Sequence, residues 1–414
     1  MSINGKPAII KFEHDKLLIG EGGFEKRHLT KLLQLNDRNG SIYFEGINKG
    51  VKFKQYVGVI QVDDLLIEIL PKTDKVSSAD NWRSLLLNML KTCKKLKATT
   101  YGSAFVKKQN INLLELYFSL YIAELNQLIR QGLIKKYKLE ESNQNALRGK
   151  LLFQKNIQYN LVHKQRFFTQ HQVYDINHDL HQLLFSALLV VEKLSFGKSL
   201  FEHCKLTKLF FNGITPSKNI SRTIDSFELN RKTMPYKNAF ELARLILLNY
   251  SPDISSGKEK MLALLFDMNK LWEEYVFIKL RNHFSGSPYT LFSQDQKYFW
   301  GNSMLRSDIV VYNNNSKKVE IIIDTKWKII NNTDISVHDL RQMYTYSKFW
   351  NTPNTVLLYP GNYRYNNFIN FDNQYDKPNL SRCKTCFVSV IDSNGSLNKN
   401  LATDIVGQLD LVTT

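Results

Sequence analysis

Cysteine is scarce in this sequence, and long apolar runs are absent. Four cysteines in 414 residues are too few for a disulfide framework. No stretch approaches the ~18 to 20 uninterrupted apolar residues that span a bilayer. The first residues, 1–6, lack the apolar core and cleavage site of a signal peptide. These absences argue against a disulfide-rich secreted scaffold and a membrane-spanning protein, and they predict a cytoplasmic protein.

A nucleotide-binding loop is also missing. The sequence contains no glycine-rich segment followed by Lys and then Ser or Thr. Any nucleotide-driven movement in which this protein takes part must therefore come from another chain.

Acidic residues are outnumbered by basic ones. The chain has 56 Lys and Arg against 38 Asp and Glu, which gives a formal net charge of +18. A soluble protein this basic usually binds a polyanion, and nucleic acid is the leading candidate. Because 43% of the residues are hydrophobic, the chain can bury substantial cores, and its length predicts two or three domains.

Local patterns divide the chain into three predicted regions. Residues 1–110 read as a β-rich domain, because short apolar runs broken by turns predict small antiparallel β structure as far as Pro71. An apolar stripe from Trp82 to Leu96 then predicts a helix. Residues 111–254 read as mainly helical, with a long helix over 113–133, and a turn-rich segment at 251–258 predicts a linker.

Residues 255–414 alternate between helical and strand patterns. Apolar spacing from Met261 to Val276 predicts a helix, and strands are expected near 289–300, 305–312, 318–327, 355–359 and 386–391, with a second helix after the third of them. The whole chain is therefore predicted to be a multidomain α/β protein.

Two short motifs invite a metal hypothesis but are weak. Cys383 and Cys386 have zinc-knuckle spacing without a second pair, and the residues after them suggest a late strand. His178 and His181 are three apart, at a place where a helix start explains them equally well.

The most informative feature is a predicted hairpin that carries two carboxylates and a lysine. Asp308 lies on one strand, and Asp324 and Lys326 lie on the next, after the apolar run 321–323. Side chains two apart on a strand share a face, and an Asn-rich turn can bring Asp308 beside them. Such a cluster can hold a hard divalent cation and direct an ammonium group at a phosphate, although many Asp/Lys pairs on strands are only solvated decoration.

A helix with a capping-box start at Ser336 follows the hairpin. Gln342 and Tyr346 are four apart on this helix and share a face. Beside the hairpin they could orient a phosphate or the strand to be cut.

These motifs together resemble the PD-(D/E)xK nuclease superfamily, in its RecB-like branch. Further segments resemble the McrC family, the nuclease subunits of systems that restrict DNA carrying modified cytosine: 65–72, 147–150, 174–180 and 266–276. One departure is Ser307, at a position where the superfamily's name leads one to expect proline.

The resemblance implies a function and a set of site residues. Asp308 and Asp324 would bind Mg²⁺ or Mn²⁺, and Lys326 would orient water or stabilise the transition state. Glu273 would be an accessory acid, with Gln342 and Tyr346 completing the catalytic set. The expected partners are a McrB-like AAA+ GTPase hexamer, through which alone GTP acts, and double-stranded DNA carrying a modification. Residues 1 to about 255 would form the partner-docking part.

Two other readings remain open from the sequence. The chain could be a basic adaptor that regulates the GTPase without cutting DNA, or a RecB-like nuclease that acts without a partner.

Overall fold

The described residues of the computed structural model form two compact units. One unit combines residues 1–97 with 265–414, and the other contains residues 98–264. The predicted first and third regions therefore lie largely in one unit, while the division into three domains stays a prediction. The described residues are 2–3, 6–71, 79–95, 113–195, 199–252, 260–330, 335–362, 367–372, 380–392 and 397–411. Most of the predicted linker at 251–258 lies outside them.

The described residues in the N-terminal part of the first unit form strands of two sheets and two α-helices. Its elements are β1 Ser2–Ile3, β2 Lys6–Phe12, β3 Lys16–Leu18, α1 Lys26–Arg38, β4 Phe44–Ile47, β5 Gly50–Phe53, β6 Tyr56–Val62, β7 Leu65–Leu70 and α2 Ala79–Thr92. One sheet includes the order β1-β2-β7-β6, and the other has the order β3-β5-β4. The predicted β-strands of this part are present.

The predicted antiparallel pairing is confirmed for β1 with β2, for β6 with β7 and for β5 with β3 and β4, but it is wrong for β2 with β7. Strands β2 and β7 run parallel, with Ala8 opposite Leu66. Parallel neighbours need a crossover connection, and the chain between these strands contains α1, a helix that the sequence analysis did not predict. The stripe on α2 is confirmed, because Trp82, Leu86 and Met89 are all buried; its last predicted member, Leu96, lies outside the described residues.

The second unit combines helices with a small antiparallel sheet. Its elements are α3 Leu113–Gln131, β8 Lys136–Gln144, β9 Lys150–Leu151, α4 Phe153–Asn160, β10 Phe167–Asp175, α5 Asp179–Leu194, α6 Ser199–Leu209, α7 Ile220–Ser226, α8 Lys237–Asn249 and β11 Tyr250–Pro252, and β12 Lys260–Asp267 follows across the unit boundary. The long helix predicted over 113–133 is confirmed. The sheet, in the order β8-β10-β9, was not predicted.

Gly149 makes a close backbone approach inside this unit. Its φ is +78°, and an added Cβ would lie 2.4 Å from the Gln170 carbonyl oxygen. We expect Gly149→Ala to lower the free energy of unfolding by about 2 kcal/mol or more, because left-handed strain and overpacking add. Gly132→Ala is the matched control, since Gly132 has a φ of +87° with nothing within 4 Å of the added Cβ. Thermal unfolding of both variants tests this, and equal losses would contradict it.

The C-terminal part of the first unit is built on a mixed sheet. Its elements are α9 Met268–His283, β13 Tyr289–Trp300, β14 Ser303–Asn313, β15 Lys318–Thr325, α10 Val337–Phe349, β16 Asn354–Pro360, β17 Ile369–Asn370, β18 Arg382–Val388 and α11 Leu401–Val406. The sheet order is β13-β14-β15-β16-β18-β17. Strands β15, β16 and β18 run parallel, whereas β13 with β14, β14 with β15, and β17 with β18 are antiparallel. The strands predicted here are confirmed.

The helix predicted from Met261 begins later. Residues 260–267 form strand β12, and α9 begins at Met268 after its N-cap Asp267, whose side chain accepts hydrogen bonds from the backbone N–H groups of Asn269 and Lys270. Met261 through Leu264 are all buried. A fully buried strand gives a continuous apolar run that periodicity alone cannot distinguish from a helix.

Helix α10 packs on one face of the mixed sheet. Its residues Met343, Tyr346 and Trp350 join Val310 of β14 and Ile322 of β15 in one buried cluster. This core fixes α10 beside the strands that carry the two carboxylates. Among the described residues, no helix is long and apolar enough to cross a membrane.

Candidate active site

The two carboxylates of the hairpin face each other across adjacent strands. The antiparallel register pairs Ile309 with Ile323, and its continuation places Asp308 opposite Asp324. Directly opposed residues of an antiparallel pair point to the same face. The predicted juxtaposition is therefore present at the end of the hairpin away from its turn.

Asp308 is held in place by Thr325. The backbone N–H of Thr325 donates to Asp308 Oδ2 at 2.8 Å, and the Thr325 hydroxyl donates to the same oxygen at 3.1 Å. The backbone and the side chain of Thr325 therefore both fix the same carboxylate oxygen of Asp308. No local sequence signal marks this role of Thr325.

Asp324 is almost fully buried and lies beside Lys326. Its side chain is 1% exposed, and its Oδ2 is 2.7 Å from Lys326 Nζ. The backbone N–H of Lys326 donates to the Leu358 carbonyl oxygen at 2.9 Å, which ties this segment to β16. A buried carboxylate is stable only when a cation or donor compensates it, and Lys326 supplies one positive charge beside the two carboxylates.

A chain of hydrogen bonds links Lys326 to helix α10. Lys326 Nζ donates to Gln342 Oε1 at 3.3 Å, and Gln342 Nε2 donates to Tyr346 Oη at 2.7 Å. The Tyr346 hydroxyl donates in turn to the Arg306 carbonyl oxygen, two residues before Asp308. Gln342 and Tyr346 therefore hold the lysine in place and brace the strand that carries Asp308.

Glu273 is electrostatically part of the same site. It is half-buried on α9, and its pKa is raised to about 8 by burial and then by the negative charge of Asp308. Arg306 opposes this rise. The structure thus brings Glu273 into the field of the two aspartates, although it lies on a different element.

Burial disfavours negative charge throughout the cluster. Burial raises the pKa of Asp308, and burial together with the charge of Asp308 raises the pKa of Asp324. For Lys326, burial lowers the pKa, but the neighbouring carboxylates outweigh this and the net pKa is raised. The lysine therefore stays charged at neutral pH while the carboxylates are short of positive charge.

The raised pKa of Glu273 should make the free energy of unfolding depend on pH. Because the pKa of Glu273 is about 8 in the fold, against an ordinary value of 4.5, the folded state binds this proton more tightly than the unfolded state does. The contribution to stability is full below pH 4.5 and is lost as the pH rises through about 8. We expect the metal-free Glu273→Gln variant to lose less stability than the wild type between pH 4.5 and 8.5, measured by denaturant unfolding. Equal pH slopes in the two proteins would contradict this.

Asp308 and Asp324 are a suitable pair of protein ligands for a magnesium ion whose other ligands are water and phosphate. Among the described residues, no group of three or more His, Cys, Asp or Glu is arranged to hold a metal. Mg²⁺ is commonly bound by one or two carboxylates, with water and substrate phosphates filling the other positions. Asp308 and Asp324, both short of positive charge, match that requirement.

The departure at Ser307 leaves the strand geometry intact. Ser307 is fully buried and pairs with Asp295 of β13. Sheet pairing therefore sets the backbone direction that a proline would otherwise restrict.

The two weak metal motifs lie in packed surroundings. Cys383 and Cys386 lie three apart on β18 and are buried, and burial raises their pKa values to about 11 and about 12. Side chains three apart on a strand point to opposite faces. The prediction of a strand there is confirmed.

His178 and His181 form a packed pair beside α5. Their ring centroids are 4.1 Å apart, and each ring has a nitrogen within hydrogen-bonding distance of a backbone carbonyl oxygen, that of Ile134 or Ile176. Burial lowers the pKa of His181 to about 4. These contacts account for one nitrogen of each ring, while His178 Nδ1 and His181 Nε2 are buried without a hydrogen-bond partner among the described residues.

Comparison with known proteins identifies the family. A family model described as McrBC 5-methylcytosine restriction system component matches residues 51–360. The chain belongs to this family. The McrC-type resemblance predicted from the motifs is thereby confirmed, and the match spans the three residues of the hairpin. No curated protein matches this McrBC component.

Two solved structures share the fold of this McrBC component. One is a refined half-complex from a tetradecameric assembly of Thermococcus gammatolerans McrB AAA+ hexamers with bound McrC; the similar chain is 19% identical with a TM-score of 0.73, over 97% of this chain and 99% of that one. The other is a cryo-EM structure of the Thermococcus gammatolerans McrBC complex, at 21% identity and a TM-score of 0.52, over 66% and 87% of the respective chains. At these identities the similarity shows the fold.

Proposed function

We propose that this chain is the DNA-cleaving subunit of a GTP-dependent McrBC-type restriction complex, with residues 255–414 forming a PD-(D/E)xK nuclease domain. One observation carries the proposal: Asp308 and Asp324 face each other across a hairpin, with Lys326 Nζ 2.7 Å from the second carboxylate. The family match to restriction-system components supports the same reading.

Each site residue has a distinct proposed task. Asp308 and Asp324 would hold Mg²⁺, or Mn²⁺, which when bound lowers the pKa of a coordinated water and polarises a phosphate oxygen. Lys326 places its ammonium group against the same phosphate and stabilises the charge that develops in the transition state. Glu273, with a pKa of about 8, can hold or release a proton near neutral pH, while Gln342 and Tyr346 fix the position of Lys326.

The positive charge of the chain supports DNA as the substrate. An excess of 18 positive charges supplies contacts to phosphates without reading the base sequence. Binding of this kind weakens steeply as salt rises, because counterions are released from the DNA. A double-stranded DNA substrate carrying a modified base fits the family description, and reading of that base is assigned to the partner.

The partner is proposed to be a McrB-like AAA+ GTPase hexamer. The sequence contains no phosphate-binding loop of its own, and the similar Thermococcus gammatolerans structure holds McrC bound to McrB AAA+ hexamers. This chain would receive DNA from the ring and stimulate its GTPase activity.

A single sample tests the function. The chain is purified with a McrB-like AAA+ GTPase, and DNA cleavage and GTP turnover are measured with Mg²⁺ and again with EDTA. We expect cleavage only when Mg²⁺, GTP and the partner are all present. GTPase stimulation without cleavage would instead identify a regulatory adaptor, and cleavage without the partner would identify a stand-alone nuclease.

A further inference from the structure

A residue near the N-terminus contacts the residue that follows Lys326. The Trp327 indole N–H donates to Glu13 Oε1 at 2.6 Å, across 314 positions of sequence. Both side chains are only 6% exposed. A hydrogen bond between two buried groups is stronger than one that is exposed to water.

Glu13 is itself firmly placed. It follows β2, and its backbone N–H donates to the Leu70 carbonyl oxygen at the end of β7. The turn after it is closed by Asp15, whose Oδ2 accepts from the Phe12 N–H at 3.0 Å. The acceptor that Trp327 meets is therefore fixed by the N-terminal sheet.

The Trp327 ring also contacts the helix that carries Glu273. Its centroid lies 5.3 Å from the ring of Trp272, which is fully buried and directly precedes Glu273 on α9. Trp327 thus joins three parts of the site: Glu13, the helix of Glu273 and the backbone of Lys326.

Other contacts tie the same helix to the N-terminal part of the unit. The Met268 N–H donates to the Gln55 carbonyl oxygen at 2.9 Å, and Lys95 Nζ lies 3.0 Å from Glu274 Oε2. The first turns of α9 are therefore positioned by contacts with Gln55 and Lys95 of the N-terminal part.

We propose that Glu13 is a positioning residue for the cleavage reaction, an inference that rests on the proposed nuclease function. By holding the Trp327 indole, Glu13 fixes the backbone at Lys326 and so the direction of the ammonium group beside Asp324. The N-terminal strands are in this view a structural part of the nuclease and not only a platform for the partner ring.

Three variants and one control separate this role from a general loss of stability. Glu13→Leu removes the acceptor, Trp327→Phe removes the donor while keeping a ring, and Glu13→Gln keeps an acceptor oxygen. The control is Glu68→Gln, at a 1% exposed glutamate of the same N-terminal sheet that accepts from Arg83 at 2.6 Å. Thermal unfolding is recorded for every protein, and the full chain is assayed with its AAA+ partner.

We expect Glu13→Leu and Trp327→Phe to lower the single-turnover cleavage rate at saturating DNA by about 10-fold or more, as for other residues that orient a functional group. Glu13→Gln should recover most of the rate. Glu68→Gln should lower the unfolding temperature. With the AAA+ partner at saturating concentration it should leave the cleavage rate unchanged, because the Glu68 side chain is buried inside the sheet and is not on a docking surface. A wild-type rate in Glu13→Leu would overturn the proposal.

A double variant tests whether Glu13 acts on the cleavage rate through Lys326. If Glu13 acts through Lys326, adding Glu13→Leu to Lys326→Met should slow cleavage no further than Lys326→Met alone. A full additional loss in the double variant would show a separate structural effect and overturn the positioning role.

A second measurement does not require cleavage. Amine-reactive labelling of Lys326, followed by peptide mass spectrometry, should be several-fold faster in Glu13→Leu than in the wild type, with no such change in Glu68→Gln. If the wild type fails to cleave DNA, the proposed function fails; faster labelling would still support the positioning contact, and unchanged labelling would overturn it.

Discussion

Asp324→Asn is expected to abolish Mg²⁺-dependent cleavage while making the metal-free protein more stable. The amide cannot replace an anionic metal ligand, and metal ions supply several kcal/mol of transition-state stabilisation. At about 1.4 kcal/mol for each factor of ten, the cleavage rate should fall about 10³-fold or more. Single-turnover cleavage in the assembled complex measures the loss.

The stability of the same variant should change in the opposite direction. The pKa of Asp324 is raised by burial and by Asp308, to about 7, so the ionised carboxylate weakens the fold above that pH. A neutral amide removes this penalty, and denaturant unfolding at pH 8 should show a higher free energy of unfolding than in the wild type.

Glu320→Gln is a matched control on the same strand. Glu320 lies near the turn end of β15 and accepts hydrogen bonds from Asn313 and Ser316. It should retain wild-type cleavage. If Asp324→Asn also cleaves normally, the metal assignment is wrong.

Lys326→Met is expected to lower the cleavage rate about 10²-fold or more, because one directed charge near the reacting phosphate is removed. Methionine keeps much of the side-chain volume without the ammonium group. The metal-free protein should also become less stable at neutral pH, since Asp324 loses the cation 2.7 Å from its Oδ2. Single-turnover cleavage and denaturant unfolding measure the two effects.

Lys328→Met is the matched control. It tests whether removing any lysine of this segment lowers the cleavage rate, or only removing Lys326. Lys328 Nζ pairs with Asp339 Oδ2 at 2.6 Å, so it is also bonded to a carboxylate, but its side chain is 41% exposed. The variant should keep nearly full activity, because the exposed Lys328 ammonium group lies against Asp339 and is screened by water. Comparable losses in Lys326→Met and Lys328→Met would remove the specific role of Lys326.

The hairpin could be predicted because its signals are local. Period-two alternation places Asp324 and Lys326 on one face, and an Asn-rich turn brings Asp308 opposite. Helix periodicity likewise places Gln342 and Tyr346 together, and the structure joins them by a hydrogen bond of 2.7 Å. In each case the distance along the chain is short enough for backbone geometry to decide the contact.

The start of α9 shows where local reading fails. Met261 to Leu264 fit a helical stripe as well as a buried strand, and only their place in a sheet makes them β12. The parallel pairing of β2 with β7 was missed for the same reason, because it depends on the path of the intervening chain and not on the composition of either strand.

The amino-acid sequence alone establishes which groups are available for chemistry: two carboxylates and a lysine on paired strands, a basic chain, and no nucleotide-binding loop. The surroundings of these groups follow from tertiary packing. Three features require segments that come together only through folding: the hydrogen bonds from Thr325 to Asp308, the raised pKa of Glu273, and the hydrogen bond from Trp327 to Glu13. Local periodicity sets the face on which a side chain lies, but burial and charge depend on every element that packs against it.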